Sequence, residues 1–184
     1  MLEIEEVNQL SEKRKLHSIG VMKMCEKLAE RYGEDPKRAM AVGLAHDMAK
    51  EMPEEEKMKY VKENKIQASE LEYNNVDILH GEIAADICKK KYGFDEEMCS
   101  AIANHTMGKP EMTMLEKILF IADKIDETRE YEGVEELRKL AFEDIDLAIL
   151  QNLDNTIKIN LDKKRVIFEQ SIKTRNFILI NNKK

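Results

Sequence analysis

The chain contains four histidines, His17, His46, His80 and His105, and one of them is followed directly by an acid in the stretch LAHDMAK, Leu44 to Lys50. A further acid, Asp123, interrupts the apolar run ILFIADKID. Imidazole nitrogen and carboxylate oxygen are the donors that suit iron, manganese and zinc. Buried without a partner, such polar groups cost on the order of 1–3 kcal/mol each, and a bare carboxylate far more. Residues of these types on apolar faces therefore ask for a cation. Mixed nitrogen and oxygen ligation without a thiolate fits a hydrolytic or redox centre with open coordination positions. Six candidate ligands exceed what one four-coordinate ion takes, so a two-ion centre with a bridging carboxylate would accommodate them.

The elements that must position these residues read as helices nearly throughout. A long amphipathic stretch from about Leu10 to Tyr32 closes at Gly33, and Asp35-Pro36 opens a helix running to about Lys50. Pro53 with Glu54, Glu55 and Glu56 opens the next, and a polar stretch from Glu63 to Asn75 follows. Further helices are expected from about Val76 to Tyr92, from Asp95 to about His105, and from Thr113 through about Asp126, the turn TMGKPEM lying between the last two. Two or three more cover about Val134 to Leu140, Asp144 to Asp162 and Phe168 to Ile180. No convincing strand alternation, repeat or low-complexity linker interrupts them. The expected fold is all-α and single-domain, with a core over about residues 10–130 and additional C-terminal helices over about 134–182.

Helical spacing then assigns faces, since residues three or four apart lie side by side. His17 shares its face with Val21, Met24 and Leu28; His46 lies over Ala39 and Val42; and Asp47 lies over Met40 and Leu44. His80 aligns with Val76, Ala84 and Ile87, His105 with Met98, Ala101 and Ile102, and Asp123 with Leu119 and Phe120. A histidine on an apolar face is often a core residue with its hydrogen bonds met, and a mid-helix aspartate often bonds nearby backbone. Here every histidine and two such aspartates face inward, and one shared metal centre explains all six.

Composition narrows the classes. A formal net charge of −7 and the absence of a dense basic tract argue against nucleic-acid binding, runs such as Lys89-Lys90-Lys91 reading as solvated helix faces. Cys25, Cys88 and Cys99 form no CxxC pair and read as buried reduced thiols, which also argues against a structural zinc site. No leader of basic-then-apolar order and no apolar run of the ~18 residues a membrane span needs is present, so a cytoplasmic protein with no membrane partner is expected. The C-terminal FILI, Phe177 to Ile180, could supply a homodimer face or simply pack in the core.

The order His17, His46-Asp47, His80, His105, Asp123 resembles the signature of the HD-domain phosphohydrolase superfamily. Beyond it, LAHDMAKEMP, LHGEIAADICKKKYG, ANHTMGKPEMTMLEKILFIADKI, GVEELRKLAFEDIDLAI, LDNTIK and TRNFIL look like successive blocks of the YqeK family, over roughly Leu16 to Leu179. That resemblance implies a helical phosphohydrolase that cuts diadenosine tetraphosphate symmetrically into two ADP. It implies that His17, His46, Asp47 and Asp123 hold one metal, while His80 and His105 hold a second or contact the substrate phosphate. Asp47 is then the bridging candidate, and Asp47, His80 and His105 are the catalytic candidates. The family implies iron as one or two ions, with manganese or cobalt as substitutes, and a metal-bound hydroxide attacking phosphorus.

The resemblance also implies contacts to a small-molecule nucleotide. Lys50, one helical turn past His46, and Arg129, a guanidinium able to grip phosphate bidentately, are the phosphate candidates. Thr106, Thr174, Arg175 and Asn176 match family positions near the nucleotide. The chain departs from the family pattern between Asp126 and Glu132, where two usual prolines are replaced, leaving a loop expected to be more acidic and less rigid. The competing readings are an HD-type phosphohydrolase acting on a mononucleotide or deoxynucleotide, and a metal-holding nucleotide sensor without turnover.

Overall fold

The computed structural model describes residues 4–182 and is helical, with no strand among the described residues. In chain order the helices are α1 (Glu5–Asn8), α2 (Glu12–Tyr32), α3 (Pro36–Ala45), α4 (Glu54–Glu63), α5 (Glu70–Tyr73), α6 (His80–Tyr92), α7 (Glu96–Asn104), α8 (Met114–Ile125), α9 (Val134–Glu143), α10 (Ile145–Asp162) and α11 (Glu169–Asn181). A 3-10 turn, Val76–Leu79, leads into α6.

Local chemistry sets most of these boundaries. Ser11 caps α2, whose far end stops at Gly33 in the left-handed region at φ 75°. Asp35 accepts from the Lys37 amide at 2.8 Å with Pro36 in the first turn of α3, and Asp95 accepts from the Met98 amide at 2.9 Å at the start of α7. Thr113 and Glu116 cap α8 reciprocally, the Glu116 amide reaching Thr113 Oγ1 at 3.3 Å and the Thr113 amide reaching Glu116 Oε2 at 2.7 Å.

The helix expected to run on to Lys50 ends earlier, at Ala45. The cause is His46: its Nδ1–H donates to Gly43 O at 2.8 Å, the oxygen a continuing helix would offer to the Asp47 amide. The chain then tightens into i−3 turns, Met48 N to Ala45 O at 3.0 Å and Lys50 N to Asp47 O at 2.9 Å. His46 and Asp47 thus stand at a helix end rather than mid-helix. Two short helices also lie outside the expected set. One is α1; the other is α5, closed by a Ser69–Glu72 capping box inside the polar stretch.

Helix α8 is apolar on nearly every side, with Leu115, Ile118, Leu119, Phe120, Ile121, Ala122 and Ile125 buried. Helices α2, α3, α7 and α10 pack around it. Helices α2 and α3 approach closely: a methyl group placed on Gly43 would lie 2.9 Å from Met22 Cα. The apolar core continues to Leu153 on α10 and Ile178 on α11, while Leu179 and Ile180 are exposed, so the FILI segment is divided between core and surface. All three cysteines are free and buried. No helix among the described residues is long and apolar enough to cross a membrane.

Candidate metal centre

The core converges the six expected ligands on one point. His17 comes from α2, His46 and Asp47 from the end of α3, His80 from the start of α6, His105 from the end of α7 and Asp123 from α8. All six are buried. The imidazoles form a chain of edge-to-face rings, His17 to His46 at 5.3 Å, His46 to His105 at 5.0 Å and His105 to His80 at 5.0 Å between centroids. Three overlapping triads, His17–His46–Asp47, His46–His105–Asp123 and Asp47–His80–His105, each bring their donor atoms within 4.8 Å of one another.

Asp47 touches both halves of the cluster. Its Oδ2 lies 3.7 Å from His17 Nε2 and 3.6 Å from His46 Nε2, while Oδ1 lies 3.1 Å from His80 Nε2 and 3.7 Å from His105 Nε2. Asp123 Oδ1 adds contacts of 3.0 Å to His17 Nε2 and 3.7 Å to His46 Nε2.

The protonation pattern decides what the cluster can hold. His46, His80 and His105 each direct Nδ1 at a backbone carbonyl three residues earlier: Gly43 O at 2.8 Å, Asp77 O at 2.6 Å and Ile102 O at 2.7 Å. A carbonyl oxygen only accepts, so Nδ1 carries the proton and a neutral ring presents a lone pair at Nε2. Burial pushes His105 down to about 4, keeping it neutral near pH 7. Burial alone would raise the Asp47 carboxyl, but positive charge shared among the imidazoles of His46, His105 and His80, which a bound cation would replace, outweighs it and holds Asp47 well below the usual carboxylate range. Burial opposes ionisation of Asp123 as well, and the Lys124 ammonium beside it holds the carboxyl well below the usual range.

With the rings neutral, lone pairs and carboxylates face one another. His80 Nε2 and His105 Nε2 are 3.2 Å apart, and the buried His46 Nε2 has no hydrogen-bond partner. Acceptors arranged this way repel unless a cation lies among them, and the donor set is the nitrogen and oxygen set that divalent transition metals take. The residues fit a divalent metal.

Cations ring the cluster, and sequence reasoning missed two of them. Arg14 pairs with Asp47 Oδ2 at 2.5 Å and Lys124 with Asp123 Oδ2 at 2.6 Å. Arg14 precedes His17 by three residues, so the helical spacing that found His17 also places Arg14 beside it. Arg129 sits where its guanidinium reaches Asp123 Oδ1 at 2.7 Å and, through Nε, Asp123 O at 2.8 Å. Lys13, Arg14, His17, Arg129, Glu130 and Tyr131 line a cavity of about 670 Å³ that meets the cluster at His17. Asp126, another residue sequence reasoning missed, is buried beside His17, three residues beyond Asp123.

The remaining nucleotide candidates sit elsewhere. Lys50 pairs with Asp77 Oδ2 at 2.7 Å, next to the buried Lys57 ammonium on Asp77 Oδ1 at 3.0 Å. Thr106 is half-buried in the turn after His105. Thr174 is fully buried and donates to Gln170 O at 2.8 Å, seating α11 against Gly108 of that same turn. Arg175 pairs with Asp154 on α10 and donates to Asn176 Oδ1 at 3.2 Å.

The loop expected to lack rigidity is held. Asp126 Oδ1 accepts from the Thr128 amide at 2.9 Å and hydroxyl at 2.5 Å, and Arg129 N donates to Asp126 O at 3.0 Å. An Asx-type turn fixes the backbone where prolines were expected to do so. Arg138 adds clamps to Ile125 O at 2.7 Å, Asp126 O at 2.7 Å and Arg129 O at 2.8 Å.

Known proteins resemble this chain over most of its length. The family model described as HD domain matches residues 14–128. A Bacillus subtilis (strain 168) protein named symmetrical bis(5'-nucleosyl)-tetraphosphatase is 37% identical over 93% of this chain and 92% of its own. A Halalkalibacterium halodurans protein of the same name is 37% identical over 95% of this chain and 93% of its own. A crystal structure from Clostridium acetobutylicum, described as a predicted HD superfamily hydrolase involved in NAD metabolism, superposes with a TM-score of 0.93 at 38% identity, covering 99% of this chain and all of that one.

Proposed function

The chain belongs to the HD-domain superfamily and, within it, to the YqeK family, and on that premise we propose that it hydrolyses dinucleoside tetraphosphates, converting diadenosine tetraphosphate into two ADP. The observation that carries the proposal is Asp47, whose two oxygens address the His17–His46 half and the His80–His105 half of one buried acceptor cluster.

His17, His46, Asp47 and Asp123 would hold one divalent ion, iron by family likeness. His80 and His105, with Asp47 as the bridging candidate, would hold a second, or the two histidines would meet the substrate phosphate when one ion is bound. Bound there, the metal activates water and neutralises charge growing on the phosphoryl oxygens. The protein does the rest by placement. Backbone carbonyls at Gly43, Asp77 and Ile102 lock three rings with Nε2 facing inward. Arg14, Lys13 and Arg129 set positive charge along the adjoining cavity, where a polyanionic chain is favoured despite the net charge of the molecule. The apolar helices behind the ligands exclude bulk water and strengthen these charges.

Product analysis tests the reading. Diadenosine tetraphosphate given to metal-loaded protein should yield ADP alone; ATP with AMP would reject symmetrical cleavage. Release of phosphate only from a mononucleotide would move the activity to another phosphohydrolase class, and tight binding without turnover would make the protein a sensor.

A further inference from the structure

We infer that Asp126 is a positioning residue, which fixes the ring of His17 for ligation and steadies Arg129, and that Gly20 exists to make room for it. The inference rests on the metal-centre reading above.

Three of the four histidines anchor Nδ1 on a carbonyl three residues back. Each can do so because it stands at a helix end or 3-10 turn, where backbone acceptors outnumber donors. His17 cannot. It lies inside α2, whose carbonyls are committed to the helical ladder, so an acceptor must come from another element.

Asp126 supplies it. The residue is wholly buried, and its Oδ2 lies 3.2 Å from His17 Nδ1 with no aligned donor of its own. Arg129 Nε stands 3.2 Å from the same oxygen. The other oxygen, Oδ1, is saturated by the Thr128 amide and hydroxyl, which settles which way the carboxylate points. A carboxylate behind a ligating imidazole fixes its tautomer and raises its basicity.

The space for this contact is prepared on α2. A methyl group on Gly20 would lie 2.7 Å from Asp126 Oδ1. Glycine inside a helix costs about 1 kcal/mol relative to alanine. Here it stands three residues after His17, on the face turned to Asp126.

The substitution Asp126→Asn is diagnostic because it nearly preserves shape. The Thr128 amide can only donate, so the asparagine must keep its oxygen there and turn its nitrogen toward His17 Nδ1. That moves the imidazole proton to Nε2, the atom needed for the metal, as happens when the analogous carboxylate of a catalytic triad is amidated.

The experiment pairs a binding titration with a spectroscopic readout. Mn(II) affinity, measured by competition with a chelating dye, should fall roughly 10- to 100-fold in Asp126→Asn relative to wild type. In Zn(II)-loaded wild-type protein, nitrogen-15 correlation spectra of the imidazoles should show the His17 Nδ1 proton shifted downfield and protected from solvent exchange by the Asp126 carboxylate, a result that needs no variant to fold. Unchanged Mn(II) affinity in a folded Asp126→Asn, or a wild-type His17 Nδ1 proton that exchanges freely with solvent, overturns the inference while leaving the metal centre standing. Failure of the wild-type protein to bind Mn(II) or Zn(II) at all overturns both.

Discussion

His80 Nε2 and His105 Nε2 lie 3.2 Å apart, each ring having committed its other nitrogen to a backbone carbonyl. Two buried lone pairs at that separation are unfavourable in metal-free protein, and a cation between them reverses the sign. Metal should therefore act as a folding ligand. At a hundredfold excess over Kd, binding contributes about 2.7 kcal/mol, which for a chain of this size raises Tm by roughly 5–10 °C. Thermal unfolding with and without Mn(II) after chelation measures this. A Tm indifferent to metal would leave the histidines as core filler.

The helices carrying His17 and His46 touch through Gly43, so their spacing sets a ligand distance. Gly43→Ala would push a methyl group against Met22 backbone and the Cys25 sulfur, at 2.9 and 3.0 Å. Overpacking of this kind costs about 1–3 kcal/mol. Weaker Mn(II) binding should accompany the loss of stability, because α2 must move relative to α3. A variant destabilised but with wild-type affinity would show the two helices adjusting away from the ligands.

Arg129 offers a fork rather than a point charge, gripping Asp123 through both side chain and carbonyl. Arg129→Lys keeps the charge and loses the fork. Losing one charged hydrogen bond, about 1.5–3 kcal/mol, corresponds to a fall of roughly 10- to 100-fold in kcat/KM. Steady-state kinetics on diadenosine tetraphosphate provide the measurement. Wild-type kinetics in the lysine variant would reduce Arg129 to a screening charge.

Behind His80, Asp77 ties the turn down through Lys50 and Lys57. Burial raises its carboxyl, but the two ammonium groups prevail and bring it to about 2. A carboxyl lowered on folding adds stability that is complete above its unfolded value near 3.9 and is lost as pH falls through about 2. Asp77→Asn should accordingly destabilise the protein at pH 5, the deficit shrinking between pH 4 and 2. Urea unfolding of both proteins across that range measures it, and a deficit that stays constant with pH would place Asp77's contribution outside its charge.

The convergence of six buried side chains and most helices were legible because their signals are local. Caps such as Asp35-Pro36, Asp95 and Thr113–Glu116 act within four residues, and one residue set repeated on apolar faces singled out the six side chains that converge. What escaped was tertiary. The end of α3 at Ala45 depends on which carbonyl the His46 ring chooses. Lys50 turned to an acid 27 residues away, and Thr174 to the turn after His105, contacts that no spacing rule contains. Asp126 looked like one more acid in an acidic loop, because its partners His17 and Gly20 lie on a helix more than a hundred residues earlier. The Ser69–Glu72 capping box was the exception, a local signal hidden by its polar surroundings.

The most direct test is to titrate metal back into chelated protein while measuring bound metal and diadenosine tetraphosphate turnover together, in wild type and Asp47→Ala. Turnover should rise in proportion to bound metal, with ADP as the sole product. Asp47→Ala should stay folded yet lose both, by more than the ~10- to 100-fold that removing an outer-shell partner costs. Turnover that survives chelation, or a metal-loaded wild type that leaves the dinucleotide intact, would contradict the assignment of this cluster as the hydrolytic centre.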